Sequence, residues 1–405
     1  MNFRDAPEDA AFRGEVKAFL ADEMPKGFGK AKGPAGKSPA SEEALRGGVD
    51  RYGVYQDWMH KLAARGWIAP AWPKEYGGAG MTVMQQFIFN EEMARARAPR
   101  PGGIGVGFAG PTIITYGTDD QKREHLPGIL AGDAVWCQGF SEPGSGSDLA
   151  SLQTRAAKDG DDYIINGQKI WTTGAQFAQR MILLARTDAD APKHKGISYF
   201  LLDMKSPGVS VRPLVNMAST PGFSEVFFED VRVPRKDLLG EENRGWYVAT
   251  TTLDFERSSI GAAIAQQQGV EDLILFVKGG GAVLHPTIKL ELAERSIEAE
   301  TARLLSYRVI TLQAKGMVPN HEASCAKLYA SELSQRVSET GVRMVGLYGQ
   351  LDRDNTEGSA TQRHAPNKGR LMRAYLNAVS STIAGGTSEV QRNIVAQRGL
   401  GLPRD

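Results

Sequence analysis

Cysteine is nearly absent from this 405-residue chain: only Cys137 and Cys325 occur. Two thiols cannot staple a chain of this length, so no disulfide framework is expected and a reducing, cytoplasmic location is. Neither cysteine sits in a metal-ligand spacing, and the six histidines form no paired motif, so no metal site is expected. An excess of either charge is missing too. The formal net charge is +1, which gives no electrostatic argument for nucleic acid or a membrane surface as a partner. No apolar run approaches the roughly 18 residues of a spanning helix. The N-terminus carries Asp5, Glu8 and Asp9 and has no apolar stretch, which argues against a secretory signal. No internal repeat occurs. What is present is ordinary globular material, 41% hydrophobic and 23% charged, long enough at roughly 150 residues per domain for two or three domains.

Three textures follow one another. Residues 1–135 read as helical, with Phe12, Val16 and Phe19 at helical spacing and further helices around 52–65 and 81–97. Residues 25–41 read as a loop rich in Gly, Pro, Ser and Lys, and 102–110 as a glycine-rich piece. From 136 to 239 the period shortens, with candidate strands at 135–140, 163–166, 180–186, 198–203, 209–213 and 224–229. Asn166-Gly167 is a type I′ hairpin signal, and 168–173 is close enough to 181–185 to pair with it antiparallel. From 240 helices return. Ala293, Ile297, Leu304, Leu305, Val309 and Leu312 mark one apolar face, and Ala330, Leu333, Val337, Gly341 and Met344 another. The expected class is an α+β multidomain chain: a helical domain (1–135), a small β domain (136–239) and a helical bundle (240–405) whose long faces also suit subunit contacts.

The segment from Cys137 to Gly174 is the most informative. It opens with Gln138-Gly139-Phe140-Ser141-Glu142-Pro143-Gly144-Ser145-Gly146-Ser147-Asp148 and closes with Asn166-Gly167-Gln168-Lys169-Ile170-Trp171-Thr172-Thr173. Small hydroxyl and glycine residues leave backbone amides free for carbonyl or anionic oxygens, and an aromatic stands beside threonines. Alone, the first stretch suits either a structural turn or such a cradle, and Trp171 suits either core packing or a ring platform. Together they suit the flat rings and ribityl chain of a flavin. A second segment, Ala384-Gly385-Gly386-Thr387-Ser388-Glu389-Val390-Gln391-Arg392, combines a side-chain-free turn with Ser388 and Gln391 at capping-box spacing before the last helix. It reads either as a plain helix cap or as a site.

Both segments resemble signatures of the acyl-CoA dehydrogenase family, the first reading T/S-E-P-x-x-G-S-D and N-G-x-K-x-W-I/T-T. The likeness runs from Trp67-Ile68-Ala69-Pro70 and Pro73-Lys74-Glu75-Tyr76-Gly77-Gly78 to Gly399-Leu400-Gly401. The resemblance implies an N-terminal helical domain, a middle β-barrel and a C-terminal four-helix bundle, with FAD as cofactor. It implies that Gln138, Phe140, Ser141, Gly146, Ser147, Trp171 and Thr173 line FAD, that Thr387 and Glu389 contact it, and that Ser147 also approaches the acyl-CoA. Electron-transfer flavoprotein is the implied electron acceptor, and a homotetramer or homodimer the implied assembly.

Dehydrogenation of an acyl-CoA to the trans-2-enoyl-CoA removes an α-proton and a β-hydride, and a carboxylate must take the weakly acidic proton. Many family members carry that glutamate in a Y-E-G-T turn; here the matching position is Gly385, which has no side chain. A subgroup, isovaleryl-CoA dehydrogenase among it, places the glutamate on a helix of the C-terminal domain in a run similar to L-D-L-E-R. This chain has Leu253-Asp254-Phe255-Glu256-Arg257, so the resemblance assigns the base to Glu256. Without it, Glu256 reads as a solvated helix carboxylate. Asp254, two steps away on a helix, faces elsewhere. The Gly385 N–H is the implied donor to the thioester carbonyl, and Asp254 and Arg257 match positions that contact the CoA portion.

Some positions depart from the pattern. Lys278-Gly279-Gly280-Gly281 stands where the family often has Arg-x-x-Phe, and Arg343 to Gly349, with Leu347, where Gln and a Gly-Gly pair are usual. Arg363, His364, Lys368, Arg370 and Arg373 form a basic run that suits a solvated face or a phosphate site. Two other functions fit the same residues: a flavin oxidase or monooxygenase on this fold, and a non-catalytic flavoprotein subunit.

Overall fold

The computed structural model describes residues 5–25, 49–254, 260–282, 285–351 and 364–403. The loop expected at 25–41 lies almost wholly outside them, as do Arg363 and most of 352–369.

The chain divides into two compact units, each built from separate segments: Met1–Gly47, Met81–Arg100 and Ser258–Asp405 in one, Gly48–Gly80 and Pro101–Arg257 in the other. The second unit is organised by a β-sheet. Its strands are β1 (Trp136–Gly139), β2 (Arg155–Asp159), β3 (Asp162–Lys169), β4 (Arg180–Arg186), β5 (Ile197–Asp203), β6 (Val209–Leu214), β7 (Phe223–Val233) and β8 (Leu238–Leu239). They run in the order β6-β7-β3-β2-β4-β5-β8, with β1 parallel to β4. Met181 to Ala185 and Ile197 to Leu202 are buried without a break, as expected of strands covered on both faces. Helices Val49–Ala64 (α2), Gly110–Tyr116 (α4), Asp119–Ala131 (α5) and Gly245–Asp254 (α6) complete this unit. The glycine-rich piece is wound rather than loose: Gly105–Ala109 forms a π-turn entering α4, and its Val106 carbonyl accepts from Trp72 Nε1 at 3.0 Å.

Two expectations fail here. Asn166-Gly167 makes no hairpin; it lies inside β3. Against β3, the register of β7 advances three residues, from Val231 to Phe228, while β3 advances two, so β7 carries an extra residue. Asp230 in that bulge has φ +50°, and Asn166 serves it, accepting from Asp230 N and donating to Asp230 Oδ1 at 2.9 Å each. The real hairpin joins β2 to β3 at Asp159-Gly160-Asp161-Asp162, where Gly160 takes φ +62°. Nor does 168–173 pair with 181–185: β3 pairs with β2 and β7, and the antiparallel partner of β4 is β5.

The first unit is helical: α1 (Pro7–Glu23), α3 (Val83–Arg95), α7 (Ile260–Lys278), α8 (Pro286–Ala314), α9 (His321–Met344), α10 (Arg370–Ala378) and α11 (Ser388–Ile394). The stripe Ala330, Leu333, Val337, Gly341 and Met344 on α9 is buried as expected. On α8 the buried face is turned. Leu292, Ala299, Ala302, Ser306 and Val309 point inward, whereas Ala293 is exposed and Ile297 is 70% exposed. Arg295 takes a buried position there, held by Glu294 at 2.8 Å and Glu298 at 2.5 Å. Charges also tie α1 to α3: Arg13 reaches Glu91 at 2.8 Å and Glu92 at 2.5 Å. Among the described residues no helix is long and apolar enough to cross a membrane.

Candidate functional site

The two motif segments fall in different units, and each has its own geometry. In the sheet-containing unit, β1 delivers Gln138 half-buried and Phe140 buried, the Phe140 ring meeting Tyr199 edge-on at 5.9 Å. The chain then turns tightly: Glu142 and Ser145 exchange backbone hydrogen bonds at 2.9 and 3.0 Å, and Ser145 Oγ donates to the Asp148 carbonyl at 2.8 Å. That turn leaves Gly146 and Ser147 exposed and Ser141 half-buried. A Cβ on Gly146 would meet nothing within 4 Å, and its φ is not positive. Neither packing nor backbone conformation asks for glycine there, and the surface over it is clear.

What holds the turn is an ion pair that sequence reasoning missed. Glu142 is buried, and its carboxylate accepts from Gln153 N at 2.6 Å, Thr154 N at 2.8 Å and Lys169 Nζ at 2.7 Å. Lys169 is fully buried at the end of β3 and also donates to the Phe140 carbonyl at 3.0 Å. Burial alone would raise the Glu142 carboxyl, but the Lys169 ammonium and the donors hold it below the usual carboxylate range. Burial brings the Lys169 ammonium down to about 8 against the opposing pull of Glu142. Both letters stand in the quoted motifs; only the register of β3 shows that they touch.

One step beyond, the backbone is fixed on either side of Trp171. Ile170 N donates to Ser141 O at 2.9 Å, and Thr172 and Ser224 exchange backbone bonds at 3.1 and 3.0 Å. Trp171 itself takes φ +60°, a conformation that bulky residues avoid. Its ring is 59% exposed and rests edge-on against Phe223 at 6.0 Å. Thr173 is exposed beside it. An aromatic held outward at a conformational cost, one residue from the backbone bond to Ser141, fits a flat ring.

In the helical unit, Gly385 (φ +66°) and Gly386 (φ +84°) carry the chain into α11. The expected Ser388–Gln391 capping box is displaced by one residue. Thr387 is the N-cap, its hydroxyl accepting from Val390 N at 3.2 Å. Gln391 turns back to donate to the carbonyls of Gly385 at 3.2 Å and Gly386 at 3.5 Å, and Ser388 is buried with its Oγ unpartnered among the described residues. The box fails because threonine precedes serine and takes the cap first. Thr387, Ser388, Glu389 and Arg392, with Glu332 and Arg336 of α9, line a cavity of about 450 Å³. Glu389 is exposed, and its own backbone N–H and the Thr387 hydroxyl hold its carboxyl below the usual range.

Glu256 and Arg257 lie outside the described residues, as does the side chain of Asp254. The helix that leads to them is anchored: Thr252 and Thr112 hydroxyls share a hydrogen bond at 2.8 Å, as do Thr251 and Tyr116. His364, Lys368 and Arg370 of the basic run are exposed, consistent with a solvated face. A further group not read from sequence, Glu124, His125 and Asp237, brings its ligand atoms within 4.8 Å of one another. Glu124 already pairs with Arg180 at 3.3 Å and Lys236 at 3.2 Å.

Three family profiles match in tandem: "Acyl-CoA dehydrogenase, N-terminal domain" over residues 6–133, "middle domain" over 137–231 and "C-terminal domain" over 243–400. Among curated relatives, acyl-CoA dehydrogenase IpdE1 of Mycobacterium tuberculosis is 36% identical over 399 residues, covering 97% of this chain and 98% of its own. Among solved structures, the "Tcur3481-Tcur3483 steroid ACAD" superposes with a TM-score of 0.81 at 32% identity, and the ChsE4-ChsE5 complex from Mycobacterium tuberculosis with 0.80 at 33%. Both alignments cover the whole of each chain.

Proposed function

The chain belongs to the acyl-CoA dehydrogenase family, whose members are flavoproteins, and from that premise we propose how its own residues carry out the reaction. The enzyme is an acyl-CoA dehydrogenase. FAD, when bound, supplies the two-electron acceptor. Gln138, Phe140, Ser141, Gly146, Ser147, Trp171 and Thr173 hold it, and Thr387 and Glu389 contact it. The observation that carries this reading is the Glu142–Lys169 clamp, which sets a serine turn joined through Ser141 to the residue before the outward Trp171.

Glu256 takes the α-proton, as in the subgroup that includes isovaleryl-CoA dehydrogenase, because Gly385 has no acid to offer. The Gly385 N–H donates to the thioester oxygen as charge develops on it. Ser147, Asp254 and Arg257 contact the CoA thioester. Purified Glu256→Gln should retain FAD yet show no bleaching of its visible absorption when acyl-CoA is added anaerobically. Normal bleaching in that variant would sink the assignment.

The substrate is assigned to CoA thioesters of branched or cyclic acids. Gly385 leaves room where a side chain would stand, and one solved relative bears the name steroid ACAD. A panel of straight, branched and cyclic acyl-CoAs tests this; strict preference for short linear chains would count against it. Electron-transfer flavoprotein is the proposed acceptor, and oxygen uptake at the rate of turnover would point instead to an oxidase. The proposed assembly is a homotetramer or homodimer in the cytoplasm. A two-component assembly is the competing reading, since a solved relative is a ChsE4-ChsE5 complex. The mass of the purified holoenzyme in solution, and its activity without a second chain, separate the two.

A further inference from the structure

The turn before α11 contains two adjacent glycines, both in the left-handed region: Gly385 at φ +66° and Gly386 at φ +84°. Glycine gives the backbone its greatest freedom, so something outside such a turn must fix it. Both of its carbonyls are held by side chains. Lys327 stands on α9 next to the buried Ala326. Its Nζ donates to Gly386 O at 2.6 Å and to Ser381 O at 3.2 Å, so one cation ties together the two ends of the segment 381–386. Ser381 is anchored to α9 as well, its Oγ donating to Ser331 O at 3.0 Å. Gln391 donates to Gly385 O at 3.2 Å, and a Cβ on Gly386 would come 2.5 Å from its Nε2. Glycine at 386 therefore lets Gln391 lie against the turn.

The amides of the turn are treated differently. Among the described residues the N–H groups of Gly385 and Gly386 meet no acceptor, and both residues are exposed. With the carbonyls taken, the N–H groups are what this turn has left to offer from its backbone. A donor aimed at developing charge works best when it is already held in place, because it then needs no reorganisation during the reaction. Two glycines alone cannot supply that rigidity; a cation on a long helix can.

We propose that Lys327 is the positioning residue for the donor to the thioester oxygen. It fixes the Gly385-Gly386 turn by a carbonyl, so that the Gly385 N–H keeps its place during the reaction. As the α C–H bond breaks, the proton goes to the base and negative charge builds on the thioester oxygen, where that N–H receives it. Lys327 acts through the turn and takes no part in the bond changes. This inference rests on the reading of Gly385 as the donor.

The test uses holoenzyme and a 3-oxoacyl-CoA. The α-carbon of that ligand lies between two carbonyls, so it gives up a proton without being oxidised, and the bound enolate is read by its absorbance. Wild type should hold a larger enolate fraction than water does at the same pH. In Lys327→Met the bound enolate-to-keto ratio should fall about tenfold while binding of the keto form changes little; losing a donor outright would cost about 100–1000-fold. With substrate, kcat should fall by a similar factor and KM should move less. Lys327→Arg, which keeps a charged donor, should restore most of both. If Lys327→Met does not fold, Lys327→Gln, with a neutral donor, reads the same fall. An unchanged ratio in variants that retain FAD would overturn the proposal, and so would an equal loss of the keto and enolate forms. A wild type that holds no more enolate than water would overturn the reading of Gly385 itself, and the proposal with it. The enolate is measured at equilibrium, so an error in the base assignment does not disturb this test.

Discussion

Glu142 accepts three hydrogen bonds inside the protein, one of them from a lysine with no exposed surface. Such a pair adds little by forming but costs much when one partner is removed, because the other is left charged and unanswered. Lys169→Met should therefore lower stability by about 3–5 kcal/mol in denaturant titration and weaken FAD retention. A loss under about 1 kcal/mol would mean that the clamp is incidental. His125 offers a pH readout at the same scale. Burial is the largest influence on its imidazole; Arg180 and Lys236 also lower it, Glu124 opposes, and the result is near 4 instead of 6.5. Between these values the unfolded chain binds the proton and the folded one does not, so stability falls as the pH falls from 6.5 toward 4. After allowance for solvent screening the loss is roughly 1–3 kcal/mol. His125→Gln should flatten that part of the stability profile. The two cysteines do not share such a role: Cys137 is buried, which pushes its thiol far above the usual range.

At the scale of elements, the local signals that misled were real chemistry put to other use. Asn166-Gly167 is a strong turn dipeptide, yet the asparagine side chain supports a bulge in the neighbouring strand. The turn went to Asp159-Gly160, where Gly160 supplies the positive φ. Asn166→Ala should leave the Asp230 N–H without that acceptor and cost about 1 kcal/mol, measured by denaturant unfolding. No effect would show that water replaces the bond. Thr387→Ala, which removes the cap of α11, should likewise cost about 1 kcal/mol. It should also weaken FAD binding, measured by titrating apoenzyme. The helices show the other limit. The α9 stripe was legible because apolar residues occupy one face alone. On α8 apolar residues lie on two faces, and the sequence does not say which is covered; Arg295 takes an inward place because Glu294 and Glu298 answer it.

At the scale of the molecule, the chain builds two units, each from segments distant in sequence. Each has its own apolar cluster, one around Leu273, Ala299 and Leu333, the other around Ile165, Leu183 and Phe200. Unfolding of the apoprotein should thus depart from a single two-state transition in calorimetry. Lys169→Met should move the component belonging to the sheet-containing unit, and Arg13→Met, which removes the guanidinium that bridges Glu91 and Glu92, the other. Coincident shifts in both variants would show one cooperative unit instead.

The sequence by itself determined the helix–sheet–helix order, the family and the residues nominated for cofactor contact, because these depend on periodicity and on motifs read within a few positions. Tertiary structure alone decided which letters of the motifs act on each other. Glu142 and Lys169 are 27 residues apart, and only strand pairing brings their charges to 2.7 Å. Arg97 and Arg100 look alike in sequence; one faces Asp272 and the other lies against Gly261 because of where α7 passes. Pairing across a fold depends on register and burial, and neither is a property of a residue's neighbours along the chain.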